Sequence, residues 1–151
     1  MKALSFNADG ELYAVDAALV DKVMRNDEFT PVLTAPAAVV GIANMRGGII
    51  TLLSLSELLG RTKNEKAAHS IVFQTLKNSN DKMALLIDTL GDLITINDED
   101  IVQPCISDIG AEASFISGLA EIGEKLYKII SVEQIAKSLS RPPVGAIVNR
   151  P

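Results

Sequence analysis

The second half of this sequence repeats the pattern of the first. Gly41-Ile42-Ala43 recurs as Gly118-Leu119-Ala120, Met45 is matched by Ile122, and Ser54 by Ser131. These pairs all stand 77 residues apart. Earlier in the chain, the strand end Val15-Asp16 recurs as Ile87-Asp88 and Pro31 as Pro104, at offsets of 72 and 73. Each half thus carries strands, a proline, a glycine-led strand pair and a Ser-capped helix. A repeat of this length points to two copies of one supersecondary unit. In a chain of 151 residues each unit is small, so a shared interface helps both bury enough surface.

The local pattern assigns those units to an all-β class. Short apolar stretches alternate with turn residues. Leu4 to Asn7 and Glu11 to Asp16 read as strands joined by a tight Asp9-Gly10 turn. A short turn through Ala17 to Leu19 leads to a strand over Val20 to Arg25, after which Pro31 and Pro36 interrupt regular structure. Gly41 to Arg46, Gly47-Gly48 and Ile49 to Leu53 read as strand, turn, strand. Ser54-Leu55-Ser56-Glu57 matches a capping box, and Gly60 closes that short helix. The polar stretch 61–69 reads as a linker between two similar subdomains of a single domain spanning 1–151.

Beyond it, Ser70 to Leu76 and Met83 to Asp88 form a hairpin, and Leu93 to Ile96 a further strand. Pro104 to Ser114 reads as loop. Phe115 to Ile122 and Lys125 to Ile130 make the last hairpin, turning at Gly123-Glu124. Ser131-Val132-Glu133-Gln134 caps a C-terminal helix running to about Leu139, which Pro142-Pro143 stops. About ten strands and two short helices follow from this reading. The apolar tail Val144-Gly145-Ala146-Ile147-Val148 lies beyond them.

Composition narrows the function. A hydrophobic share of 48% supplies a substantial core, and 22% charged residues is too few for a disordered tail. A net charge of −5 sets the surface against phosphate backbones, so nucleic acid is not an expected partner. The start of the chain turns polar too soon for a signal peptide, and no apolar run reaches the ~20 residues of a membrane span. These features imply a cytoplasmic protein without direct membrane insertion.

Few residues suggest chemistry. One histidine, His69, and one cysteine, Cys105, do not make a Cys/His metal site, and no phosphate loop or dinucleotide fingerprint is present. The acidic run Asn97-Asp98-Glu99-Asp100 lacks the glycine and the late glutamate of a calcium loop. Neither a metal nor another cofactor is expected. Asp16 and Asp88 fall at strand ends in matching places, which admits a paired-carboxylate acid-base or ligand site. Their recurrence favours a structural need, because a catalytic pair normally has two different roles. Protein interaction is left as the default function.

Gly41-x-x-Asn44-x-Arg46-Gly47-x-Ile49, followed by an apolar strand, resembles the signature of the CheW family of bacterial chemotaxis coupling proteins. The resemblance runs nearly end to end. Phe6, Tyr13 and Asp16 resemble its opening hairpin, Met83 to Asp92 its apolar strand ending in Asp-x-x-x-Asp, and Phe115 to Ala136 its last hairpin and helix. It implies two intertwined five-stranded SH3-like β-barrels packed together, and an adaptor that catalyses nothing. The implied partners are the cytoplasmic tip of a chemoreceptor and the regulatory domain of a CheA-type histidine kinase. By position, Val20, Gly41 and Arg46 match family residues important for receptor and kinase coupling, and Val23 joins Val20 in lining a groove for a receptor helix. A planar Arg46 fork suits a partner carboxylate. Each also has a structural reading: Val20 and Val23 as core, Gly41 as a backbone requirement, Arg46 as a local ion pair. Ser54 and Ser131 depart from the family, which often carries Asp there. A CheW-like adaptor of another kinase pathway, such as surface motility, fits the same sequence.

Overall fold

The computed structural model describes residues 1–32, 38–45, 47–59, 68–74, 81–103 and 115–140, with backbone alone at 139 and 140. In the first half, β1 is Lys2–Ala8, β2 Glu11–Asp16, β3 Val20–Arg25, β4 Thr30–Pro31, β5 Val39–Met45 and β6 Gly48–Ser54, followed by the short helix α1, Leu55–Leu58. In the second half, β7 is His69–Phe73, β8 Lys82–Ile87, β9 Thr89–Thr95, β10 Ile101–Val102, β11 Ile116–Ile122 and β12 Lys125–Ile130. Helix α2, Val132–Ser140, follows. The chain is mainly β, as expected. The two-residue strands β4 and β10 add to the ten read from the sequence.

Several local predictions hold for visible reasons. Asp9 and Gly10 both take positive φ, 56° and 79°, the backbone of a two-residue turn whose twist matches the strands it joins. Ser54 Oγ accepts from the Glu57 N–H, and Ser131 Oγ from the Gln134 N–H, each at 3.2 Å. Both serines therefore cap their helices as proposed. Pro31 does not break the structure. It sits in the edge strand β4 opposite Gly41, where a missing N–H leaves no ladder bond unmade. Pro36, Gly60, Pro104 and Cys105 lie outside the described residues, as do residues 61–67 of the expected linker.

The strands form two six-stranded sheets, ordered β10-β11-β12-β2-β1-β9 and β3-β7-β8-β6-β5-β4. Each sheet takes four strands from one half of the chain and a hairpin from the other. The β1–β2 hairpin joins the second half's sheet through a parallel pairing of β2 with β12, and β7–β8 joins the first half's through β8 and β6. The halves are thus interlocked, in two SH3-like barrels.

The repeat is reproduced in register. Val39 pairs with Leu53 and Gly41 with Leu52 across an irregularity; 77 residues on, Ile116 pairs with Ile130 and Gly118 with Ile129 across the same one. The Ser54 N–H donates to the Ala38 carbonyl, and the Ser131 N–H to the Phe115 carbonyl, both at 2.8 Å. Upstream the offset read from sequence needs correction. Ile129 faces Ala14 and its counterpart Leu52 faces Ala84, so β2 maps on β8 with an offset of 70 (84 − 14). Asp16 therefore corresponds to Leu86, two residues before Asp88.

Three apolar clusters follow from strand alternation. The largest lies between the sheets and includes Phe6, Tyr13, Val15, Leu53, Ile71, Leu85, Ile87, Val132 and Ile135. One barrel encloses Met24, Phe29, Ala43, Ile50, Leu52 and Val72; the other encloses Ala3, Ala14, Ile96, Ala120, Tyr127 and Ile129. Successive residues of β7, Ile71 and Val72, point to different clusters, as the period of two requires. Burying both faces of the hairpins locks the halves together.

Candidate functional site

Val20 and Val23 lie on β3, one of the two edge strands of its sheet, paired only with β7. The strand is launched by Asp16, whose Oδ1 accepts from the Ala18 N–H at 3.0 Å and caps the turn Ala17–Leu19. Val20 is half-buried and packs against the cluster between the sheets, while Val23 is 38% exposed. The two valines therefore differ: one anchors the strand, the other presents apolar surface. An irregularity between Val20 and Lys22 in the pairing with β7 separates them.

Gly41 is buried in β5, between Leu52 of β6 and Pro31 of β4. A Cβ there would stand 3.1 Å from the Thr30 carbonyl oxygen and 3.3 Å from the Phe29 Cβ. The close approach that this glycine allows is thus to its own chain. Arg46 lies outside the described residues. Its neighbours are placed: Met45 faces Gly48 at the end of the hairpin ladder, and Gly47 takes φ 82°.

Side-chain contacts join these strands. Lys22, between Val20 and Val23, donates from Nζ to the Met45 Sδ at 3.4 Å. Asp21 pairs with Lys82 at the start of β8, Oδ2 to Nζ 2.8 Å, with both side chains about 30% exposed. The Asp81 Oδ1 accepts from the Ile49 N–H at 2.9 Å. The structure therefore brings β3 to the β5–β6 hairpin that carries the signature. Lys22, Met45 and Ile49 were not among the site residues read from the sequence, though one signal was there. Ile49 and Leu126 stand 77 apart, and both are exposed, 43% and 50%.

The other barrel repeats the edge. With the corrected offset of 70, Val20 corresponds to Leu90 and Val23 to Leu93, since Leu90 faces Phe6 and Leu93 faces Leu4 as the valines face Phe73 and Ile71. Leu90 and Leu93 are exposed, 42% and 66%.

The proposed carboxylate pair dissolves. Asp16 is the cap described above. The Asp88 Oδ2 accepts from the Asp9 N–H at 2.9 Å, and the Asp88 N–H donates to the Asn7 carbonyl at 2.9 Å. One starts β3 and the other holds the β1–β2 turn against the end of β8, so the two occupy different, structural places. His69 opens β7 and is exposed, opposite Arg25 and Ile87. Asp98–Asp100 forms a single exposed 3-10 turn. Among the described residues no group of three or more His, Cys, Asp or Glu is arranged to hold a metal ion, and no helix is long and apolar enough to cross a membrane.

Interlocked SH3-like barrels with exposed apolar side chains on their edge strands define a scaffold protein. The model of the CheW-like domain matches residues 2–140, and the chain belongs to that family of chemotaxis adaptors. It is 28% identical over 141 residues to the chemotaxis protein CheW of Rhizobium meliloti (strain 1021), covering 91% of this chain and 88% of the relative. The chemotaxis protein CheW of Treponema pallidum (strain Nichols) is 27% identical over 140 residues, covering 89% and 81%. Among solved structures, the scaffolding protein TtCheW from Thermoanaerobacter tengcongensis superposes with a TM-score of 0.74 at 28% identity, covering 87% of this chain and 88% of that one.

Proposed function

We propose that this chain is a cytoplasmic, non-catalytic bridge between the cytoplasmic tip of a chemoreceptor and the regulatory domain of a CheA-type histidine kinase. Its coupling face comprises Val20 and Val23 on β3, β5 with Gly41, and Arg46, the residue that follows Met45 in the sequence. The Lys22–Met45 contact carries this reading, because it ties β3 to the hairpin and lets both engage one partner together. Val23 supplies exposed apolar surface for a receptor helix laid against this edge. Arg46 adds a planar fork for a partner carboxylate. Gly41 acts from behind, by letting β4 close on β5. Family membership and the loss of the Asp16–Asp88 pairing support an adaptor rather than an enzyme.

The test is reconstitution. The full chain is mixed with a receptor-tip fragment and with the kinase regulatory domain, and complexes are measured by calorimetry. The expected result is binding to both, weakened by Arg46→Glu with little change in melting temperature. A folded sample that binds neither refutes the proposal. A large loss of melting temperature in the variant makes Arg46 a structural residue.

A further inference from the structure

Met45 stands apart from the other internal methionines that the structure describes. It is 37% exposed at the end of β5, whereas Met24 and Met83 are 6% and 8% exposed. Its sulfur already accepts a contact from a cation, the Lys22 ammonium at 3.4 Å. That contact links β3 to the β5–β6 hairpin. The repeat places Ile122 at the matching position, so the thioether belongs to one barrel alone. Nothing in the packing of the clusters described above uses the Met45 side chain.

We propose that Met45 is a reversible oxidation site that weakens the coupling face, taking its oxygen from a peroxide. The step balances: the thioether sulfur attacks one peroxide oxygen, the O–O bond breaks, and a sulfoxide and water (or an alcohol) result. The sulfur loses two electrons and the peroxide gains them. The lesion is one that methionine sulfoxide reductases reverse. Exposure makes Met45 the first internal methionine to react, while burial shields Met24 and Met83. The product changes the surface in two ways. A flexible apolar tip becomes polar and chiral. Its S=O is also a far stronger acceptor than the thioether. With Lys22 within reach, the ammonium is drawn into a charge-assisted hydrogen bond and held beside the hairpin. The weak sulfur contact between β3 and the hairpin is replaced by a strong polar one.

This proposal rests on the coupling reading above, and the experiment separates the two. The full chain is treated with graded hydrogen peroxide. Peptide mass spectrometry follows the one-oxygen gain at Met24, Met45 and Met83, and binding to the receptor tip and the kinase regulatory domain is measured before and after treatment. The expected result is oxidation at Met45 well ahead of the two buried residues, with at least one complex weakened by about tenfold, the size of one lost interfacial contact. Methionine sulfoxide reductase restores the affinity. In Met45→Leu the affinity, whatever its starting value, no longer responds to peroxide, and Met45→Gln is weakened without oxidant. Equal oxidation rates at the three methionines overturn the proposal. So does unchanged binding of Met45-oxidised protein, with the coupling reading left intact. Failure of the untreated chain to bind either partner overturns both.

Discussion

Gly41 offers the sharpest separation of a structural residue from a contact residue. Its φ is not in the left-handed region, so a substitution there meets only steric resistance. An alanine methyl would press on the Thr30 carbonyl oxygen at 3.1 Å and the Phe29 Cβ at 3.3 Å. Overpacking of this kind costs about 1–3 kcal/mol. Restricting the unfolded chain returns about 0.4–1 kcal/mol. The edge strand β4 has only two residues to shift, which keeps the cost near the middle of that range, about 2 kcal/mol. The net for Gly41→Ala is about 1 kcal/mol, a fall in melting temperature of about 2–4 °C for a domain of this size. Gly41→Val adds two methyls against the same wall and costs about 3 kcal/mol. Thermal and urea unfolding measure both, and partner affinity is scored per folded molecule. Full stability in Gly41→Val together with lost binding would refute the reasoning, since the glycine would then face a partner rather than β4.

Other substitutions probe the rest of the framework. Gly91→Ala is expected to be harsher than Gly41→Ala, because its Cβ would lie 2.8 Å from the Ser5 carbonyl oxygen and would displace the Ser5 hydroxyl that bonds Asp92 twice at 2.9 Å. A loss of about 3 kcal/mol in urea unfolding is predicted, and a loss below that of Gly41→Ala contradicts it. Ser131→Ala removes the α2 cap and should cost about 1 kcal/mol, with Ser131→Asp restoring stability in the same assay. Asp88→Ala strips the acceptor from the Asp9 N–H and should lower stability by about 1 kcal/mol, while Asp88→Asn retains most of it through the amide oxygen. A ligand-dependent rise in melting temperature that Asp88→Asn abolishes would instead revive a binding role for this carboxylate.

The sequence by itself determined the local units. Strands β2 and β12 were legible to the residue, because a short apolar stretch in each is bounded by turn residues: Asp9-Gly10, Ala17 to Leu19, Gly123-Glu124 and the capping Ser131. The repeat offset of 77 was legible for the same reason, since glycines and serines mark it. Strand β9 was only half legible. Thr89-Leu90-Gly91-Asp92 is exposed and carries two weak strand formers, Gly91 and Asp92, and it is extended because β1 pairs with it and Ser5 holds the irregularity. The exchange of hairpins between barrels was legible only through the family resemblance, which implies intertwined barrels, and not from any local pattern. Parallel pairing of β2 with β12 joins residues more than a hundred positions apart, and no local pattern encodes such a partner. Dependence on tertiary pairing likewise hid the 70-residue correspondence that separates Asp16 from Asp88, and the contact between Lys22 and Met45, 23 residues apart, that assembles the coupling face. Local backbone preference and alternation set which segments are strands. Burial of both faces of each hairpin, which only the closed fold achieves, decides which strands meet and which side chains remain at the surface.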